Sequence, residues 1–138
     1  FKLCTENRVR VYQGNANATT TSSPRVLAEL KMRLFEMEGL VDRYQQQLAV
    51  WLEKNQVVNT DEEKAMMFGL RGAIAKCGVD IAIKATQALG GTVLYKGHPI
   101  ELFTRDLIGL GAHSSHIYED AMTTYGGALF GGPAHPVW

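Results

Sequence analysis

From Leu27 to Trp51 the chain places an apolar residue every three or four positions: Leu27, Leu30, Leu34, Met37, Val41, Tyr44, Leu48 and Trp51. That spacing draws one stripe along a helix and holds it over more than three heptads. A helix so long, with a single apolar stripe, needs neighbours to cover it. The remaining faces carry charge, including Glu29, Lys31, Arg33, Glu36, Glu38, Asp42 and Arg43. Ser23-Pro24 marks the start, because serine caps a helix well and proline suits its first position. The first helix is expected over residues 24–55.

The rest of the chain supplies partners. Residues 55–59 read as a connection. Thr60-Asp-Glu-Glu63 reads as a capping box, with Thr60 as cap and Glu63 as its reciprocal partner. The second helix is expected over 60–89, with Met67, Leu70, Ile74, Cys77, Ile81 and the pair Ala85/Ala88 as its seam. Gly69, Gly72, Ala73, Ala75, Gly78 and Ala82 admit close helix contact, at some cost in helix propensity. A third helix is expected from Pro99 over 99–112, and a fourth over 118–130, stopped by Gly131-Gly132. Residues 133–138 show no regular pattern. Residues 1–23 form a mixed, largely polar entry segment. In it Arg8-Val-Arg-Val-Tyr12 fits a short strand, or the tail of a helix closed by Gly14. The expected fold is all-α, an antiparallel four-helix-type bundle in one domain spanning 1–138.

Charge and cysteine usage exclude several classes of function. Fourteen basic residues balance fourteen acidic ones, which argues against a nucleic-acid binder needing surplus Lys and Arg on one face. No apolar run is long enough to span a bilayer, and no secretory signal pattern is present. Cys4 and Cys77 match no metal or redox spacing, so two reduced thiols in a cytoplasmic protein are expected. Asn17-Ala-Thr19 fits a glycosylation pattern by chance alone. The chain opens at Phe1 rather than a methionine, and is expected to be a fragment or excised domain.

The residues with chemical potential gather between Gln87 and His113. Gly90-Gly91 ends the second helix; it serves a tight turn, or a backbone that a ligand phosphate or ring approaches closely. Arg105 and Asp106, adjacent on the third helix, are expected to face different ways and to pair with neighbouring helices rather than with each other. His113 follows Asp106 by seven positions, on roughly the same helix face, among Gly109, Gly111, Ala112, Ser114 and Ser115. Those small neighbours leave room around an imidazole, the side chain poised for proton transfer near neutral pH. A structural histidine is the plainer reading. His98 suits a cap for the Pro99 helix; His116 and His135 are weaker candidates. No zinc spacing, P-loop, nucleophile elbow or dinucleotide fingerprint occurs.

Three segments resemble the C-terminal helical domain of the acyl-CoA dehydrogenase superfamily, in its branch of two-component flavin-dependent monooxygenases. Arg10-Val-Tyr-Gln-Gly14 is loosely similar to the arginine segment that opens that domain. Gln87-Ala-Leu-Gly-Gly91 looks like its Gly-Gly turn. Leu94 to Asp106, with His113 and Tyr125-Gly126, resembles the monooxygenase-type C-terminus. The resemblance implies a flavin (FAD or FMN) held mainly by other domains, a homotetramer, and a flavin reductase as possible partner. It implies Arg10, Gly90 and Gly91 as flavin contacts, and His113 as the catalytic group facing the flavin and a phenolic substrate. Arginine complements phosphate, and glycine lets backbone amides approach it. Three readings follow: a reduced-flavin-dependent monooxygenase acting on an aromatic or similar small substrate; an FAD-dependent acyl-CoA dehydrogenase, with its base elsewhere or at Glu119; or a helical assembly module. Glu119, in Tyr118-Glu-Asp-Ala121, sits too far from Asp106 for the dehydrogenase pattern and suits the first turn of the last helix.

Overall fold

Thr60 accepts the backbone N–H of Glu63 at 3.1 Å while the Glu63 carboxylate accepts the backbone N–H of Thr60 at 3.2 Å. With two of the end donors so satisfied, the helix that follows runs to Leu89, and it is the one on which the others pack. The computed structural model describes residues 22–55 and 60–134. Among them are four α-helices and no strand: α1, Ser22–Glu53; α2, Asp61–Leu89; α3, Pro99–Gly111; and α4, Tyr118–Leu129. A 3-10 turn, Gly91–Leu94, joins α2 towards α3. The all-helical bundle expected from periodicity is the architecture observed.

α1 begins at Ser22, so Ser23 lies within its first turn and is buried rather than capping from outside. Pro24 is tolerated there because the first four N–H groups of a helix have no intrahelical acceptor. α1 runs antiparallel to α2. Near its start Val26 and Leu30 pack with Ala85, Ile81 and Ala88. Further along, the Cys77 thiol donates to the Arg33 carbonyl at 3.4 Å. Arg43 lies beside the Met66 sulfur.

α3 and α4 lie end to end along another side of α2, each antiparallel to it. The hydroxyls of Thr86 and Thr104 are 3.0 Å apart, and Leu107 rests on Gly78. Then α4 continues the line: Tyr118 and Ala121 sit on Gly72, and Met122 and Tyr125 on Gly69. At Gly72 a Cβ would come within 2.8 Å of Ala121 Cβ and 3.3 Å of Tyr118 Cα. Glycine there is what lets the two backbones meet.

This two-sided cover explains which residues are most buried. Ala65, Phe68, Gly69, Gly72, Ala75, Gly78, Ala82 and Leu89 are buried along with Met67 and Ala85. Seam residues Leu70, Ile74, Cys77 and Ile81 face α1 and are half-buried. On α1 the seam is covered chiefly by α2, so Leu27 and Leu48 stay exposed. On α3, Leu102, Phe103, Ile108 and Leu110 are exposed as well.

Candidate functional site

The line formed by α3 and α4 is broken by six residues, Ala112 to Ile117, and this turn carries two histidines. α3 stops as Ala112 N–H returns to the Ile108 carbonyl at 3.0 Å and His113 N–H to the Leu110 carbonyl at 3.2 Å. The chain then closes on itself, with His116 N–H bonded to the His113 carbonyl at 2.8 Å. His113 is therefore past the helix end, exposed, rather than on a helix face with Asp106. The preceding Gly109 and Gly111 loosen the last turn.

Inside the turn the side chains form a chain of short contacts. His113 Nδ1 accepts the Ser115 backbone N–H at 3.2 Å and meets Ser115 Oγ at 2.8 Å. Ser115 Oγ also meets His116 Nδ1 at 3.0 Å. The two imidazole centroids are 5.7 Å apart, with the rings tilted by 59°.

His116, half-buried, lines two recesses. One is a mainly apolar groove of about 420 Å³ between α1, α2 and the turn. Val41, Tyr44 and Leu48 form one wall, Ile74 and Leu110 the other, and Arg71 brings a guanidinium. The second is a smaller, more polar depression of about 280 Å³, where Lys76, Asp80, Tyr118 and Glu119 gather. Burial lowers the pKa of His116 first; the positive charge of Arg71 and then His113 lower it further. Burial also lowers that of Arg71, partly offset by Tyr44. Arg71 lies 5.7 Å from the Phe68 ring centroid, within cation–π range.

The other candidates are placed elsewhere. Gly90 ends α2 with φ of 84°, a conformation only glycine adopts readily, and its N–H returns to the Thr86 carbonyl. Gly91 is exposed, and a Cβ on it would meet nothing within 4 Å. These glycines and His113 stand at opposite ends of α3, separated by about 20 Å of helix. They are not brought together within one copy. Arg10, like Cys4, Asn17, the Arg8–Tyr12 segment and His135, lies outside the described residues.

Arg105 and Asp106 correct an expectation. Arg105 Nε is 3.4 Å from Asp106 Oδ1, and Arg105 NH1 is 3.4 Å from Glu101 Oε1 one turn back. Adjacent residues do point apart, but the long arginine side chain folds back over its own helix rather than reaching a neighbour. His98 caps α3 as expected: its Nδ1 accepts the Ile100 N–H at 3.1 Å. Glu119 is exposed in the first turn of α4 and belongs to the polar depression, not to the groove.

The sequence places His116 behind His113 as a candidate, offers Tyr44 only as part of the α1 seam and does not point to Arg71. One signal was available for His116, its position three residues after His113 across two serines. Another was for Arg71, a charge set among Phe68, Leu70, Gly72 and Ile74. Neither a scan of protein-family models nor a search of the curated proteins matches this chain.

Proposed function

We propose that this chain is the C-terminal helical domain of a flavin-dependent oxidoreductase, a cytoplasmic monooxygenase that uses reduced flavin to hydroxylate an aromatic or similar small substrate. The observation that carries the reading is the His113–His116 turn beside an apolar groove. An aromatic ring suits the groove's aliphatic walls, and a ring hydroxyl suits an imidazole and a guanidinium at their edge.

The glycine pair fits a flavin contact in one respect. The open space over Gly91 shows that nothing in the described fold requires glycine there, so the backbone is accessible to a phosphate or ring. Gly90 and Gly91, with Arg10, would hold part of the cofactor, FAD or FMN. Reduced flavin, when bound, supplies the electrons that activate oxygen. The distance between Gly91 and His113 suits a homo-oligomer, a tetramer on the resemblance described above, in which one copy's glycines serve its neighbour's site. Exposed Leu102, Phe103, Ile108 and Leu110 on α3 are consistent with burial against other domains or copies. A flavin reductase would supply the reduced cofactor. The dehydrogenase reading gains no support from Glu119, which stands outside the groove.

The test is made on the protein that carries this chain. Reduced FMN and reduced FAD are titrated anaerobically, then oxygen and a panel of phenols are added. Flavin binding with oxygen-dependent hydroxylation that His113→Ala greatly lowers supports the reading. An absence of flavin binding overturns it, and oxidation of acyl-CoA without hydroxylation replaces it with the dehydrogenase.

A further inference from the structure

An amide N–H is always a donor, so the bond from Ser115 N to His113 Nδ1 at 3.2 Å requires a lone pair on that nitrogen. Neutral His113 then carries its hydrogen on Nε2. With that hydrogen on Nε2, the 2.8 Å contact between His113 Nδ1 and Ser115 Oγ is donated by the serine hydroxyl, which shares the one Nδ1 lone pair with the amide. Having given its only hydrogen, Ser115 Oγ can meet His116 Nδ1 at 3.0 Å only as an acceptor. Neutral His116 therefore holds its hydrogen on Nδ1 and keeps a lone pair on Nε2. One backbone amide sets the direction of the whole chain.

We infer that the two histidines divide the acid–base work: His113 presents Nε2–H as a hydrogen-bond donor, and His116 presents the Nε2 lone pair as the base for a hydroxyl-bearing aromatic ligand in the groove. Ser115 is the positioning residue that enforces this division. For what the pair acts on, the inference rests on the monooxygenase reading; the hydrogen positions do not. In the proton step the ligand O–H bond breaks and an N–H bond forms at His116 Nε2. The ring becomes an imidazolium, and the ligand is left as an oxyanion.

The surroundings suit this step. Arg71 from α2 lines the same groove and favours an oxyanion there. Tyr44 faces the groove from α1; Lys76 and Asp80 from α2, and Tyr118 and Glu119 from α4, face the depression on the other side of His116. Burial and Arg71 disfavour the imidazolium; the oxyanion formed beside both cations is what offsets the cost of charging the ring in this step. His113, exposed at the outer side of the turn, offers its donor to whatever docks there.

The test reads hydrogen positions directly. Long-range proton–nitrogen correlation of the labelled imidazoles, at mildly alkaline pH and without flavin, should show His113 protonated on Nε2 and His116 on Nδ1. Ser115→Ala should leave His113 as it is, because the amide remains, and let His116 relax to a mixture of tautomers. Ser115→Thr should restore the wild-type pattern. Phenol, added as a probe, should move the Nε2 resonance of His116. A hydrogen on His113 Nδ1, an unchanged His116 in Ser115→Ala, or no response to phenol overturns the inference. Because no flavin is present, these outcomes are independent of whether the protein binds one.

Discussion

His98 and His113 use the same local device and do different things with it. Each accepts, at Nδ1, the backbone N–H two residues ahead, at 3.1 Å and 3.2 Å respectively. His98 precedes Pro99, which has no N–H and is already set for a helix, so its bond starts α3 and ends there. His113 follows the end of α3 and precedes two serines. The second serine adds a hydroxyl to the same nitrogen and hands on to His116. A shared i to i+2 bond is thus a cap in one setting and the fixed end of a polar chain in the other. The surroundings, not the histidine, decide which.

The comparison can be broken most severely at Gly72. Gly72→Val places side-chain atoms where Ala121 and the Tyr118 backbone already stand. It should cost about 1–3 kcal/mol in denaturant unfolding. It should also displace the start of α4, disturbing the His113 and His116 resonances while those of His98 stay in place; equal disturbance at both would deny the two turns their independence. Next in size is the cap itself. His98→Ala should cost about 0.5–2 kcal/mol, as loss of an N-cap does.

His113→Ala should change stability by less than about 0.5 kcal/mol, because the residue is exposed and ends no helix ladder of its own. A cost equal to that of His98→Ala would make both histidines structural. The smallest effect is on pH dependence. The folded pKa of His116 lies below its ordinary value, so the unfolded chain binds more protons as the solution is acidified. Stability from this group is complete above the unfolded value, about 6.5, and declines as pH falls towards the lowered folded one. His116→Gln should flatten that part of the unfolding profile; an unaltered slope would assign it to other groups.

The helices were legible because their signals are local. Thr60 with Glu63, His98 before Pro99, and Gly90 after Leu89 each act within a few residues, and each is where periodicity places it. The cover of each face was less legible. Leu27 and Leu48 belong to a regular seam and yet stay exposed, because α3 and α4 both settle on α2 rather than on α1. The candidate site was legible in part. His113 stands out among small residues, but no spacing rule joins it through Ser115 to His116, or brings Arg71 from α2 to the same groove. Those links depend on where a turn falls against a helix some forty residues earlier. Arg105 escapes a reading by helix face, because its side chain is long enough to fold back to Asp106 and Glu101 on its own helix.

The position of α2 has a consequence for how the molecule opens. α1 rests chiefly on α2, as do α3 and α4, and the other pairs touch little. α1 can lift away without disturbing the opposite side, and the α3–α4 line can do the same. α2 has no such independent opening, since freeing its middle means releasing both. In hydrogen exchange, the amides from about Phe68 to Ala82 should therefore be the last to exchange and report the full unfolding free energy. Those of α1 and of α3 with α4 should exchange through two separate, cheaper events.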